Sequence, residues 1–232
     1  MTSQLASPEQ RSVRDQLLHA AVRMLNDHGP DALQTRKVAG AAGTSTMAVY
    51  THFGGMRTLI AEVAEEGLRQ FDAALTVPPT DDPVADLVAT RIAYRRYAIE
   101  RPHMYRLMFG STSAHGINAP AHNVLTLSVS EISDRYPSFA HVVRGVHRSM
   151  LAGRITAGSA DEDASVVAIA AQFWAMIHGF VMLELAGYYG GESRAVGLVL
   201  AAMSKNLLVA LGDSPERVEQ SQRSAVREAP GA

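Results

Sequence analysis

Side chains able to do catalytic or metal chemistry are numerous but lack the needed pattern. The chain has nine histidines, 23 acidic residues and no cysteine. No histidine falls in a His-Glu-x-x-His spacing. His141 and His147 stand six residues apart, as do His178 and Glu184, and that gap puts neither pair on one helical face. No Gly-x-Ser-x-Gly turn and no glycine-rich phosphate loop with a lysine occurs. Without cysteine there is no disulfide framework, zinc finger, iron–sulfur site or thiol nucleophile. The expectation is a non-enzyme with no catalytic residue, no metal and no cofactor. One cluster suits a different chemistry. Ser45, Thr46, Met47 and Ala48 run in succession, Tyr50 and His52 follow, Thr35 and Arg36 precede them, and Arg57 lies just beyond. Small and polar side chains at a helix start can approach base edges, and phenol and imidazole tips suit phosphate oxygens.

The elements that must position this cluster read as helices. Val13, Leu17, Ala21, Met24 and Leu25 recur at helical spacing, which predicts an amphipathic helix over 10–28 ended by Gly29-Pro30-Asp31. Thr35 is expected to cap a helix over 36–42 with Val38, Ala39 and Ala42 inside. Gly43 breaks it, and Thr44 or Ser45 then caps a short helix reaching about His52. On that helix Val49 and Phe53 point one way, and Thr46, Met47 and Tyr50 the other. Gly54-Gly55 separates it from a helix over 56–74. Two short helices on a tight glycine turn, buttressed by a longer one, make a helix-turn-helix, whose last helix can enter a major groove. Backbone amides at the Thr35–Arg36 helix start also favour an anion.

Beyond a proline-rich break at 77–83, helices are expected over 84–100, 103–109, 121–135 and 138–152, with a loop at 110–120. Two strongly apolar helices, 162–187 and 193–211, follow, and a polar tail over 213–232 is expected to be mobile. The fold class is all-α. An N-terminal three-helix domain spans 11–71, with its helix-turn-helix at about 34–53. A C-terminal helical regulatory and dimerisation domain spans 83–211.

The 232 residues are 47% hydrophobic, which excludes a disordered or fibrous chain. The formal charge is −2, split as +2 over residues 1–60 and −4 over the rest. That asymmetry permits a nucleic-acid-binding module on an acidic body. Met1 to Arg14 has no apolar leader segment, and the lack of cysteine fits a reducing, cytoplasmic setting. Residues 164–183 are uncharged and of membrane-spanning length. Gln172 and His178 interrupt them and acidic residues flank them without a basic anchor. A helix buried between protein surfaces is therefore expected, and no membrane partner.

The string from Leu33 to Phe53, Leu-Gln-Thr-Arg-Lys-Val-Ala-Gly-Ala-Ala-Gly-Thr-Ser-Thr-Met-Ala-Val-Tyr-Thr-His-Phe, followed by Leu59-Ile60, closely resembles the signature of the TetR (tetracycline-repressor) family of transcriptional regulators. Residues 11–71 align with that family's DNA-binding domain without gaps. The resemblance implies that Thr46, Met47 and Ala48 meet bases, that Tyr50 and His52 contact phosphate, and that Thr35 and Arg36 contact phosphate or an adjacent base. It departs at Met56, where family members usually carry a phosphate-neutralising lysine. Arg57 is the candidate substitute, although its side chain leaves the helix about 100° away. From the residues alone, Tyr50 could instead pack inside the three-helix unit, Met47 could fill the core, and His52 could be an ordinary surface histidine.

Residues 94–109 and 173–185 resemble the C-terminal domain of the branch named for its Trp-His-Gly motif, supplied here by Trp174, His178 and Gly179. Both late helices are apolar on every face and so need covering. Two from each of two chains could form a four-helix homodimer interface through 162–187 and 193–211. Such a dimer presents two reading helices roughly 34–36 Å apart to a palindromic site on double-stranded DNA. Tyr94, Tyr97, Tyr105, Met108, Phe109, Trp174 and His178 either line a pocket for a small-molecule effector or simply pack a core. Arg95, Arg96, Arg101 and Arg106 read as a solvated face. The expected function is a ligand-released repressor of a palindromic operator. The alternative is a small-molecule-binding helical protein of the same fold that has lost operator recognition.

Overall fold

The computed structural model describes residues 12–110, 123–190 and 194–228. The N-terminal residues 1–11 and most of the loop expected at 110–120 lie outside them. Among the described residues the elements are helical, with no strand. In chain order they are α1 (Val13–His28), α2 (Thr35–Ala41), α3 (Thr46–Phe53), α4 (Met56–Leu75), α5 (Pro83–Glu100), α6 (Pro102–Phe109), α7 (Val129–Arg135), α8 (Pro137–Leu151), α9 (Asp163–Leu185), α10 (Ala202–Ala210) and α11 (Pro215–Glu228). Several edges differ from expectation for local reasons. Ser12 accepts a hydrogen bond from the Asp15 amide, 3.1 Å, and so starts α1 later than residue 10. Thr35 is the first residue of α2 rather than its cap, which is Gln34 in extended conformation. α7 begins only at Val129, where Ser128 and Glu131 form a reciprocal capping box. The predicted helix over 193–211 opens with a π-helical stretch, Val196–Ala201.

The chain divides into two compact units. The first holds the described residues of Met1–Gln70 and Arg101–Ala119, the second those of Phe71–Glu100 and Pro120–Ala232. The divide falls inside α4. In the first unit Leu17 and Leu25 of α1, Val38 of α2, Val49 of α3, and Leu59 and Val63 of α4 are all fully buried. α6 belongs to this unit rather than to the C-terminal helices, because Met104, Tyr105, Leu107 and Met108 are buried in it.

The second unit is built around α5, which packs on α8, α9 and α11. Its core joins Val84 and Leu87 of α5, Val142, Val143 and Val146 of α8, Val166, Val167 and Phe173 of α9, and Leu208 of α10. α9 is the one helix among the described residues long and apolar enough to cross a membrane, and its Val166–Val181 face supplies this core. The tail expected to be mobile is instead α11 through Glu228, with Val218, Ser221 and Ala225 buried. A polar knot explains it. Arg154 is 6% exposed and bonds both oxygens of the buried Asp213, at 3.0 and 2.9 Å. It also reaches Asp82 at 2.8 Å and the Ser221 hydroxyl at 3.1 Å, while Ser221 donates to Asp82 at 2.6 Å. Burial raises the Asp82 carboxyl, but the Ser221 hydroxyl, the Ala85 and Val84 amides and Arg154 outweigh it, so its pKa lies below the usual value. A carboxylate depressed in the folded state stabilises above its unfolded pKa, and that stabilisation is lost as pH falls through the folded value.

Arg154→Met should destabilise the second unit by about 3–5 kcal/mol, because Asp213 is left charged and buried. Urea unfolding with limited proteolysis should show α11 released first. The same knot should weaken below about pH 4 in wild type, read as a falling midpoint.

Candidate functional site

The turn between α2 and α3 is set by one backbone conformation. Gly43 sits at φ 68°, a left-handed value that costs other residues strain. Its amide donates to the Gly40 carbonyl at 3.1 Å, and the Thr44 amide to Ala39 at 2.9 Å. That is a Schellman pair, which satisfies the last carbonyls of α2 and redirects the chain into α3. At the far end Gly54, φ 70°, donates to the Tyr50 carbonyl at 2.9 Å and stops α3 after Phe53.

α3 is divided sharply by face. Val49 is fully buried and Phe53 is 5% exposed. Arg14 of α1 lies over the Phe53 ring, 5.0 Å from its centroid, and forms an ion pair with Glu62 of α4. On the other face Met47 is 69% and Tyr50 56% exposed, so neither fills the core. Thr46 and His52 are exposed as well, as are Ser45 just before the helix, Arg36 on α2 and Arg57 on α4. Thr35, Ala48 and Met56 are half-buried. The structure thus leaves most of the sequence-predicted contact residues on the surface of the first unit, around a short exposed helix.

Tyr105, Met108 and Phe109 belong to the first unit, and Tyr94, Tyr97, Trp174 and His178 to the second. In the second unit the rings pack against one another. Tyr94 meets Trp174 edge-on at 5.2 Å between centroids and Phe71 at 4.9 Å, and Trp174 meets Phe139 at 5.5 Å. Tyr94 and Tyr97 are each 1% exposed. The Tyr94 hydroxyl lies 3.1 Å from His178 Nδ1, and burial pushes the His178 pKa below its ordinary value. Arg95, expected on a solvated face, instead forms a two-pronged ion pair with Glu184 of α9, at 2.9 and 2.6 Å. No group of three or more histidines and carboxylates able to hold a metal occurs among the described residues.

Sequence reasoning passed over Arg91. A cavity in the second unit is lined by Leu87, Arg91, Tyr94, Val142, Phe173 and Ile177, with Ser204 and Leu208 closing it. The signal was available. Residues 87, 91, 94 and 98 share one helical face, and the other three are buried.

A short helix with one exposed face, set by a left-handed glycine turn, defines a helix-turn-helix unit. Comparison with known proteins gives the family. Residues 17–63 match the model for bacterial regulatory proteins of the tetR family. Residues 87–207 match the tetracyclin repressor-like C-terminal domain. The chain therefore belongs to the TetR family of DNA-binding transcription regulators. The C-terminal match does not name the finer Trp-His-Gly branch. No curated protein matches the chain. Among solved structures, a protein of unknown function from Rhodococcus sp. RHA1 is 27% identical, with a TM-score of 0.67 over 90% of this chain and 100% of that one. RolR in complex with resorcinol shares the fold at 15% identity, TM-score 0.61, over 94% and 95%. So does a variant of TetR from Acinetobacter baumannii AYE in complex with minocycline, at 19% identity, TM-score 0.51, over 90% and 96%.

The environment of His178 makes a direct prediction. With its pKa lowered in the fold, the group stabilises above the ordinary histidine value and that contribution is lost as pH falls below it. Imidazole NMR should place the His178 midpoint below about 6.5, and His178→Gln should flatten part of the stability loss between pH 7 and 5.

Proposed function

We propose that the chain is a homodimeric repressor in the cytoplasm that binds a palindromic operator on double-stranded DNA and is released by a small-molecule effector. The observation that carries the reading is the division of α3 into a buried Val49–Phe53 face and an exposed Thr46–Met47–Tyr50 face. Ser45, Thr46, Met47 and Ala48 are assigned to base edges, and Tyr50 and His52 to phosphate. Thr35 and Arg36 are assigned to phosphate or a neighbouring base. Arg57 is exposed and is assigned to the phosphate normally met by a lysine at the Met56 position.

A dimer is supported by what the second unit leaves uncovered. Along α9, Ala168, Gln172, Ala175, Gly179 and Leu183 are exposed at helical spacing. This stripe is mostly small, which allows a second helix to approach closely. Leu198 is 70% and Met203 43% exposed beside it in sequence. Apolar surface of this kind on two adjacent segments suits a self-complementary interface. Release requires that the effector bind one state better than the other. α4 carries residues of both units, and the Gly54-Gly55 joint lies next to α3, so a shift of α4 is the proposed route from effector to operator.

Operator selected from a random DNA pool provides the probe. Tyr50→Ala should weaken binding to every sequence by about 1–2 kcal/mol. Thr46→Ala should alter the preferred sequence more than the total affinity, and Arg57→Ala should lower the salt slope by about one charge. Unchanged behaviour of all three, at fixed salt, would remove the assignment. A wild-type chain without salt-dependent DNA binding would favour the ligand-binding protein that has lost its operator, for which the uncharged Met56 is the sequence signal. Leu198→Glu should shift the protein from dimer to monomer in sedimentation. A wild-type monomer would sink the two-headed reading.

A further inference from the structure

The buried and partly buried arginines of the second unit differ in one respect. Arg154 is paired with Asp82 and Asp213, Arg148 with Asp86, and Arg95 with Glu184. Arg91 has no carboxylate partner among the described residues. Its Nη1 donates to the Leu200 carbonyl at 3.4 Å, a long contact, on the π-helical stretch before α10. Its neighbours in the cavity are mostly apolar, among them Leu87, Val142, Phe173, Ile177 and Leu208, with hydroxyls from Thr90, Tyr94 and Ser204. Burial alone pushes the guanidinium down to about 10. A cation held against hydrocarbon without a counter-charge is costly, and the cost is offset when an anion arrives.

We propose that Arg91 is the charge anchor of an effector site between α5, α8, α9 and α10 that takes a compact monocarboxylate on an apolar body. The inference rests on the ligand-responsive reading above and gives the chemical class of its effector. One guanidinium, with no second basic residue in the lining, matches one negative charge, and its planar fork fits a carboxylate in two-pronged fashion. Thr90 and Tyr94 line the cavity, but the Thr90 hydroxyl already donates to the Asp86 carbonyl at 2.9 Å and the Tyr94 hydroxyl lies 3.1 Å from His178 Nδ1, which leaves Ser204 as the further hydroxyl. The apolar walls accept a hydrocarbon or aromatic body and reject a polyanion. The free volume beside Arg91 is about 20 Å³, close to one water. The ligand body must therefore displace side chains, and Met176 in the lining is unbranched and adaptable. Such a ligand binds the opened arrangement and not the closed one, which is the differential affinity that regulation needs.

The test uses the full chain without DNA. Acetate, butyrate, octanoate and benzoate are each titrated against the corresponding neutral amide by calorimetry and by thermal unfolding. At least one acid is expected to bind wild type at least tenfold more tightly than its amide. Arg91→Met should lose that preference while unfolding no lower than wild type, because a partly buried charge with no carboxylate partner among the described residues has been replaced by a flexible apolar chain. Arg91→Lys, which keeps the charge but not the fork, should fall between. No acid preference in wild type, or an unchanged preference in Arg91→Met, overturns the proposal. The acid-against-amide comparison on wild type needs no variant, so a misfolded substitution does not blunt it. An intact gel shift without acid preference removes this inference alone, whereas an absent gel shift removes the regulator reading.

Discussion

A helix of eight residues has almost no stability of its own in water, so α3 exists because its neighbours hold it. Two side chains provide most of that hold. Burying Val49 and Phe53 is worth roughly 1.5–3 kcal/mol each relative to exposure. The Arg14 guanidinium over the Phe53 ring and the left-handed Gly43 turn fix the angle at which the helix leaves α2. Only one stripe of α3 is committed to the fold. The residues between are free of packing duty, so the surface that would read a duplex can change without changing the scaffold beneath it.

The second unit solves a different problem. α5 is packed by other helices on several sides and carries one charged residue, Asp86, among its buried positions. Asp86 is 8% exposed, yet it is satisfied by the Thr80 amide and hydroxyl and by Arg148. Those bonds pin the proline-rich loop before α5 to α8. Buried charges of this sort are tolerated because each has its partner. Against that background Arg91, with no carboxylate partner among the described residues, stands out by contrast with its neighbours.

Much of this was legible from residue types. The glycine turn, the Val49–Phe53 stripe and the family string around Tyr50 placed the helix-turn-helix correctly, because local spacing and turn chemistry determine both. The polar tail was misread because Pro215–Glu228 looks hydrophilic as a strip. What makes it a packed helix is a small stripe, Val218, Ser221 and Ala225, and an arginine more than sixty residues away. Arg95 was misread for the same reason, since its partner Glu184 lies on another helix. The spacing of the aromatic residues over 94–109 leaves a pocket lining and a packed core both open. The boundary between the two units falls between α5 and α6 and divides these residues, and periodicity does not reveal that. The π-helical stretch at Val196–Ala201 has no local signature in its apolar sequence.

The knot around Arg154 joins positions 82, 154, 213 and 221, so it spans most of the second unit in sequence. During synthesis from the N-terminus, α5 must wait for α11 before its α11-facing surface is covered. The first unit's own contacts need nothing beyond α6, so it can fold on the ribosome while the second is still incomplete. Nascent chains of this protein would therefore expose an unfinished apolar flank until α11 has emerged, a window in which chaperones rather than DNA are the natural company.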